Sequence, residues 1–591
     1  KVPKAPGLSP NGYFSVQTGW GPVGPQYMSQ YSGTVSKTTG DHNLKFGAAY
    51  YQTWAYTNWA QDNEVFNQQA TWNPATQSGG NALASYMLGL PNNASRQLGN
   101  AGVSLRSSVT GLFAQDSWKV NSKLTVNYGL RWDYTRPVTE KNNRFATLDL
   151  TSGQWLLAKG DVDAPGTLPP GVSFLGRNSI TKPDYKNFSP RLGFAYQVGP
   201  RTVLRAGFGI FYDNWSGALQ AAQNARGAWP SGSSQSVSSL NLAGVTPGVT
   251  AQNPFFGQST AIPASPFPSS GAGFLAEDWR DSYSSQWNFE IQQQVTKAAT
   301  ASVAYVGSST SRAPIQVPFN FATVPAAGAI QPRQPYQDMT SAQAVSTFSV
   351  IQSVGRANYN SLQAKFDQRF SDGLFFITSF TWSKSIDIGC ASFWEACSIQ
   401  NPYDLNAERG PSPLDVPLVF TFSSGYELPF GKGKRFLNHG GPGSWVLGGW
   451  QLNGILSAHS GTVFTPNINF DNANVGGGSQ RPNVAASPTL ANPTVGEYFN
   501  INAFQVPAPY TYGDAGRDSL RGPDFWNLDF SLFRNFDFAE RMRLQFRGEF
   551  FNILNHPNFN NPGSTLGNAG YGVITQAYNP RQVQVALKLT F

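Results

Sequence analysis

The chain of 591 residues lacks any long uninterrupted apolar run, and its mean hydropathy is only −0.31. A membrane-spanning helix needs about 20 consecutive, predominantly apolar residues, so the sequence argues against a helical membrane protein. Charged residues are also scarce, at 13% of the chain, which is roughly half the share typical of soluble domains. The two shortages together disfavour both a bundle of membrane helices and an ordinary soluble domain.

Cysteine and histidine are rare and scattered. The chain has four histidines, His42, His439, His459 and His556. A zinc-type site needs about four ligands close together, so we predict neither a metal ion nor another cofactor. The two cysteines, Cys390 and Cys397, flank a short loop-like stretch. We expect a local disulfide between them, which implies an oxidising compartment.

The basic residues do not form a nucleic-acid surface. The net charge of +8 is spread along the chain, whereas nucleic-acid-binding proteins gather basic residues in a patch or stripe. The stretch Tyr426–Arg435 superficially resembles a phosphate-binding loop, but its glycine spacing is wrong and neither Ser nor Thr follows the lysine. We interpret it as a turn whose basic side chains meet lipid headgroups.

Aromatic residues are abundant, at 14%, and the last stretch of the chain alternates strictly. Its apolar positions are Val583, Val585, Leu587, Leu589 and Phe591, with mostly polar residues between them. Successive side chains of a strand point to opposite faces. A strand with one apolar and one polar face that ends on an exposed aromatic is typical of a transmembrane β-barrel.

The same alternation recurs as hairpins along the chain. In the segment 123–136, Leu124 and Trp132 share one face, whereas Arg131 and Asp133 share the other. Burying such charges in a soluble core would cost free energy, but a water-filled lumen can hydrate them. The charges that this pattern assigns to a lumen are Arg131, Asp133, Glu290, Lys365, Asp367, Arg369, Glu427, Arg541, Arg543, Arg547 and Glu549.

Short turns alternate with long segments rich in Gly, Pro, Asn and Ser, which is the pattern of barrels with short periplasmic turns and long extracellular loops. If Phe591 ends at the periplasmic rim, every short turn lies in the periplasm. The sequence therefore predicts an all-β, antiparallel transmembrane barrel of about sixteen strands in the bacterial cell outer membrane. The predicted extracellular loops are 58–106, 137–187, 214–282, 308–358, 387–417, 460–524 and 555–580.

The predicted loops carry many aromatic rings. Rings can stack on sugar faces or hold apolar ligands, but they can equally pack one loop against another. The candidates for ligand contact are Trp215, Trp229, Trp279, Trp394, Tyr510 and Tyr512. No Asp or Glu is evident beside the neighbouring Ser457 and His459, so we predict no catalytic site.

The most distinctive segments are Gly111–Val120 (GLFAQDSWKV), Leu124–Tyr134 (LTVNYGLRWDY), Ser189–Tyr196 (SPRLGFAY) and Arg547–Phe559 (RGEFFNILNHPNF). They resemble barrel strands of TonB-dependent receptors. In combination they resemble the Oar-like branch of that family. The resemblance covers roughly residues 40–591.

The resemblance implies a barrel of about 22 strands, preceded by a TonB box, a plug and a carboxypeptidase-regulatory-like domain. The sequence shows none of these preceding parts and too few strands. Either the chain is the C-terminal barrel portion of a longer receptor, or it forms a smaller barrel of its own; the closeness of the matching segments favours the first. Since lipid does not tolerate an open strand edge, missing strands would come from residues upstream of Lys1 or from another chain.

The function that the resemblance implies is TonB-dependent import of a large solute, such as an oligosaccharide, a peptide or a metal chelate, bound by the extracellular loops. The alternatives are a passive channel without a plug and a surface adhesin or assembly scaffold. The expected partners are outer-membrane lipid, the TonB system acting through the plug, and the barrel-assembly machinery that reads the terminal strand.

Deletion of Phe591 is expected to lower insertion into the outer membrane severalfold, because it removes the interfacial aromatic of the terminal strand. Immunoblotting of outer-membrane fractions measures the effect. The matched control is Thr590→Ala on the opposite face of the strand, which should insert normally. Unchanged levels of the Phe591 deletion would count against the proposed terminal signal.

Overall fold

The computed structural model describes residues 6–16, 26–58, 62–100, 102–213, 229–242, 244–266, 273–336, 348–389, 399–439, 441–478, 480–539 and 542–591. In this part of the chain, fifteen long strands form one antiparallel sheet. Each strand pairs with the strand that follows it in the chain. The predicted all-β antiparallel architecture is therefore confirmed.

The long strands are β1 (Gln26–Thr39), β2 (His42–Asn58), β3 (Gly102–Lys119), β4 (Leu124–Thr135), β5 (Asn187–Gly199), β6 (Thr202–Tyr212), β7 (Tyr283–Gln294), β8 (Ala299–Phe319), β9 (Phe348–Ser371), β10 (Leu374–Ile388), β11 (Leu418–Glu427), β12 (Trp450–His459), β13 (Phe525–Ala539), β14 (Met542–Phe551) and β15 (Gln582–Thr590). Among the described residues, no helix is both long and apolar enough to cross a membrane.

The register of the strands separates two faces along the whole sheet. On one face Leu112 of β3 is opposite Trp132 of β4, and on the other Gly111 is opposite Asp133. The first face, called here the outer face, exposes large apolar side chains such as Leu192 and Trp382, which are 56% and 60% exposed. The second, the inner face, carries most of the polar and charged strand residues. One apolar and one polar face is the arrangement of a membrane barrel wall.

The first and last long strands that the structure describes are not paired with each other. Among the described residues, β1 pairs with β2 alone and β15 with β14 alone. The count of fifteen is one below the predicted number of about sixteen, which comes from counting the hairpins along the chain and agrees with the even strand number of closed single-chain bacterial barrels. That rule applies to a sheet that closes on itself, and these fifteen strands do not.

Two strands extend further than the sequence predicts. The segment 308–358 was expected to be a loop, but β8 continues to Phe319 and β9 begins at Phe348. The ladder shifts register around Arg312, whose φ is 60°. The serine-rich stretch after Gly307 does not alternate between apolar and polar residues, and β8 contains prolines, which are rare inside strands. Hydrophobic periodicity therefore did not predict this part of β8.

The long connections contain short elements of their own. A four-stranded sheet joins Gly7–Pro10, Asn63–Phe66, Asn93–Gly99 and Gly232–Val237 in that order. A three-stranded sheet joins Ala146–Leu148, Trp155–Leu157 and Val172–Phe174. The remaining short strands are Thr139–Glu140, Gly273–Leu275, Gly410–Pro411, Val463–Phe464, Asn483–Val484, Phe504–Gln505 and Leu520–Arg521.

The helices in the described ranges are short. They include the α-helices α1 (Ala82–Met87) and α2 (Pro442–Leu447). The 3-10 helices are Gln68–Thr71, Gln331–Arg333, Leu405–Glu408 and Ile501–Ala503. All of them lie in connections between the long strands.

The hydrophobic clusters centre on the connections rather than on the middle of the large sheet. One cluster joins Leu148, Trp155 and Leu157 to Trp229 and Val350. The indole Nε1 of Trp155 donates to the carbonyl of Trp229 at 3.2 Å. These buried contacts make the long connections a folded cap at one end of the sheet, since burial of large apolar side chains is the main stabilising term available there.

The cap contains a buried carboxyl group in its four-stranded sheet. Glu64 is 3% exposed, and its Oε2 atom has no hydrogen-bond partner among the described residues. Burial raises the pKa of Glu64 from 4.5 to about 7. The folded cap therefore binds a proton that the unfolded chain releases between about pH 4.5 and 7, so its stability falls as the pH rises through this window.

Replacement of Glu64 by Gln is expected to stabilise the cap sheet at pH 8 by about 1–3 kcal/mol and to leave it unchanged near pH 4. Hydrogen exchange of the Asn93–Gly99 amides, compared between variant and wild type at each pH, measures the effect. The exposed Glu497→Gln is the control and should change nothing. Equal exchange rates in Glu64→Gln and wild type at pH 8 would contradict the raised pKa of Glu64.

Candidate functional site

The inner face contains a recess of about 870 Å³ that is lined from β2 to β9. Its wall combines amide, guanidinium and aromatic side chains, including Gln115, Asn127, Arg131, Arg191, Asn288 and Tyr359. Strands that are distant in sequence thus contribute to one surface. A concave wall of aromatic and apolar side chains with a few converging polar groups is the usual form of a ligand-contacting surface.

Inner-face glycines create the room for this recess. A Cβ added to Gly111 would lie 2.2 Å from Nη2 of Arg131, and one added to Gly47 would lie 2.4 Å from the ring of Phe113. Arg131 and Phe113 can therefore lie flat along the wall, across neighbouring strands. Sequence reasoning missed this role, although glycine at inner positions such as Gly111 and Gly129 was a visible signal.

Arg131 and Asp133 form the tightest ion pair of the recess wall. Nη2 of Arg131 lies 2.7 Å from Oδ1 of Asp133, whose side chain is 2% exposed. Nε of the same guanidinium donates to Oδ2 at 2.8 Å. Two parallel charge-assisted bonds neutralise a buried carboxylate, so this pair fixes the wall instead of presenting a free charge.

Arg191 presents a different surface to the recess. Its guanidinium lies 4.7 Å from the centroid of the Phe211 ring, and it has no carboxylate partner among the described residues. Arg205 and Glu290 nearby are 3.7 Å apart and remain partly exposed. Arg191 is therefore a cation that stays available to an anionic or hydrogen-bonding solute.

The other predicted lumen charges occupy inner-face positions wherever the structure describes them. Lys365 and Asp367 are 3.6 Å apart, and Lys434 of the following turn neutralises Glu427 at 2.6 Å. Arg547 lies over the Phe533 ring at 4.8 Å. The register and strand parity place the remaining members on the same face: Arg369, Arg543 and Glu549. Arg541 lies outside the described residues.

The predicted loop aromatics that the structure describes differ in burial. Trp229 and Trp279 are each 6% exposed and pack in the cap cores, so their rings support the fold of the cap, and ligand contact by them stays a prediction. Tyr512 packs against a cap cluster, and burial raises its pKa to about 12. Tyr510 is 44% exposed and remains accessible.

Four further predicted positions fall outside the described residues, in addition to Arg541. They are Trp215, Trp394, Cys390 and Cys397. The disulfide therefore stays a prediction. Within the described part of the chain, no group of three His, Cys, Asp or Glu side chains is arranged to hold a metal ion.

Buried ion pairs attach the cap to the mouth of the sheet, and sequence reasoning did not find them. Asp415 accepts from Lys384 at 2.8 Å and from Arg521 at 2.6 Å, and its side chain is fully buried. Arg481 and Glu408 are 2.6 Å apart and almost completely buried. Because breaking a buried pair leaves an uncompensated charge, these contacts hold two long connections in fixed positions above the inner face.

The alternating faces, the polar recess and the cap together define an outer-membrane β-barrel protein of bacteria. Residues 1–584 match the family described as the outer membrane beta barrel domain. The chain belongs to this family, and the predicted location in the bacterial outer membrane is confirmed. No curated protein matches the sequence.

Several solved structures resemble the chain. The outer membrane transporter YddB from Escherichia coli superposes with a TM-score of 0.51 and 12% identity, over 96% of this chain and 55% of YddB. The ferric-catecholate import receptor Fiu from E. coli K12 gives 0.43 and 11%, over 96% and 54%. The ferric yersiniabactin uptake receptor FyuA from Yersinia pestis gives 0.42 and 9%, over 96% and 55%. The chain thus spans about half the length of these proteins, and the likeness to YddB supports the fold.

Replacement of Arg131 by Met is expected to destabilise the barrel by about 3–5 kcal/mol, because Asp133 is left buried and unpaired. The double variant Arg131→Met with Asp133→Asn should recover most of the loss. Urea unfolding from lipid vesicles, followed by tryptophan fluorescence, measures both.

The matched control for this prediction is Arg205→Met, which removes the more exposed and longer pair with Glu290. Its expected cost is below about 1 kcal/mol. Equal losses in the Arg131 and Arg205 variants would contradict the special role of the buried pair.

Proposed function

We propose that this chain is the barrel of a TonB-dependent importer that carries a large solute across the bacterial outer membrane. The single observation that carries the proposal is the polar recess on the inner face, which includes Arg191, an arginine with no carboxylate partner among the residues that the structure describes. A wall that only supported the fold would gain stability from paired charges or apolar packing. A solute pathway needs unpaired hydrogen-bonding groups along its course.

The lining of the recess favours a polar solute. Gln115, Asn127 and Asn288 offer amide donors and acceptors, and Arg191 offers a guanidinium. Phe211 and Tyr359 add aromatic faces beside them. Amides next to rings suit a hydroxyl-rich oligosaccharide, a peptide or an anionic metal chelate.

The folded cap supports uptake from outside the cell. Its buried cores and ion pairs give the connections a defined shape above the recess, so that they can select a solute before it enters. Binding sites are commonly carried by loops that a rigid scaffold positions. The TonB system and a plug are inferred from the sequence resemblance of strands such as Arg547–Phe559 to TonB-dependent receptors.

The test uses a strain that lacks the gene and expresses it from a plasmid, with fluorescent maltoheptaose, a labelled heptapeptide and an iron-55 catecholate chelate as probes. We expect uptake of one probe to depend on the gene and to cease when an uncoupler collapses the proton motive force. Arg191→Ala should lower this uptake severalfold at equal surface levels. Leu192→Ala, which alters the neighbouring outer-face position, is the matched control and should transport normally.

The alternatives give different results in the same assay. Uptake that persists after uncoupling, together with ion conductance in planar bilayers, would identify a passive channel. Binding of cells or proteins without uptake of any probe or conductance would identify an adhesin or scaffold. Either result would refute energy-dependent import.

A further inference from the structure

An arginine lies on the outer face of the sheet, where the neighbouring side chains are apolar or aromatic. Arg534 of β13 is opposite Trp450 of β12 and Phe546 of β14. Its neighbour Phe533 points to the inner face, in register with Arg547. Arg534 is located towards the periplasmic end of the strand, close enough to the interface for its long side chain to approach lipid headgroups.

This guanidinium is buried among aromatic rings. Arg534 is 8% exposed, its Nε atom has no hydrogen-bond acceptor, and no carboxylate pairs with it in the described part of the chain. Its surroundings are rings: Phe536 at 4.4 Å, Trp450 at 5.3 Å and Trp445 at 5.3 Å from the guanidinium carbon. Rings attract a cation, but they do not accept its in-plane N–H groups.

Another outer-face charge shows how the protein otherwise compensates such groups. Asp116 of β3 is bonded to Nδ1 of His42 at 2.6 Å and to the hydroxyl of Tyr128 at 2.9 Å. Both of these partners come from adjacent strands. A charge facing lipid is costly unless it is paired, and Arg534 has no comparable protein partner within the described residues.

The turn beside Arg534 has the composition of a membrane interface. Trp445 lies on α2 and is 69% exposed, and Val446 beside it is 51% exposed. The indole Nε1 of Trp450 donates to the carbonyl of Val446 at 2.8 Å, which holds α2 against the sheet. Lys432 and Arg435 of the same turn are exposed. Aromatic and basic side chains together suit the headgroup region of a bilayer.

We propose that Arg534 and the rings of Trp445, Trp450 and Phe536 form a binding site for the headgroup phosphate of a phospholipid in the periplasmic leaflet. A guanidinium presents a planar fork of donors that matches a phosphate. The apolar and aromatic side chains around it provide contacts for the acyl chains. Positive charge from Lys432 and Arg435 adds attraction for an anionic lipid.

The test measures lipid binding to the detergent-purified full chain by native mass spectrometry during titration with dilauroyl phosphatidylglycerol. We expect saturable binding of one lipid, which Arg534→Met weakens about tenfold or more. The matched control is Arg547→Met, which removes a ring-stacked cation from the inner face of the adjacent strand and should leave lipid binding unchanged. Neutral dilauroylglycerol, which has no phosphate, should not compete.

A second variant separates lipid binding from folding. Trp445→Ala keeps Arg534 and alters a largely exposed residue, and it should weaken lipid binding severalfold while the protein keeps its heat-modifiable electrophoretic mobility. Inorganic phosphate at the same concentration should not displace the lipid; displacement would indicate an adventitious ion only and would overturn the lipid site. Equal lipid binding by wild type and Arg534→Met, or by wild type and Trp445→Ala, would also overturn it.

Discussion

The hydrogen-bonded ladder of the large sheet is the constraint on which the rest of this protein depends. In hydrocarbon each unpaired backbone group costs several kcal/mol, so neighbouring strands must remain in continuous antiparallel register. That register makes the side-chain period two and separates an inner polar face from an outer apolar face. The face of a strand residue decides whether it meets lipid or the inner recess, and its depth along the strand decides which neighbours it has.

On the inner face, glycines leave space for long side chains, and the charged residues are either paired or open to solvent. Glycines such as Gly111 leave room for long side chains to lie along the wall. The buried Arg131–Asp133 pair stiffens it, while Arg191 remains without a carboxylate partner in the described part of the chain. Structural and solute-facing charges thus occur on the same face, and they are distinguished by partner and burial rather than by residue type.

The outer face and the cap are stabilised in different ways: charges on the outer face need compensating partners, and the cap needs a packed core. Outer-face charges require compensation, which Asp116 obtains from protein groups and Arg534, in our proposal, from lipid. The cap gains its shape from buried cores to which the long strands contribute only near their ends. Tryptophans such as Trp155 and Trp229 stabilise it by packing together, which is why an aromatic in a predicted loop is not in itself a sign of a ligand site.

The sequence by itself determined the alternation, the approximate strand positions and the inner-face placement of the predicted lumen charges that the structure describes, because these follow from the two-residue period of a strand. Tertiary structure decided what depends on partners distant in the chain. It continued β8 to Phe319 and began β9 at Phe348, and it buried Trp229 and Trp279. It also paired Asp415 with Lys384 and Arg521 and placed Arg534 among three rings. Local periodicity contains no information on such contacts, since they arise only when strands and connections far apart in sequence are brought together.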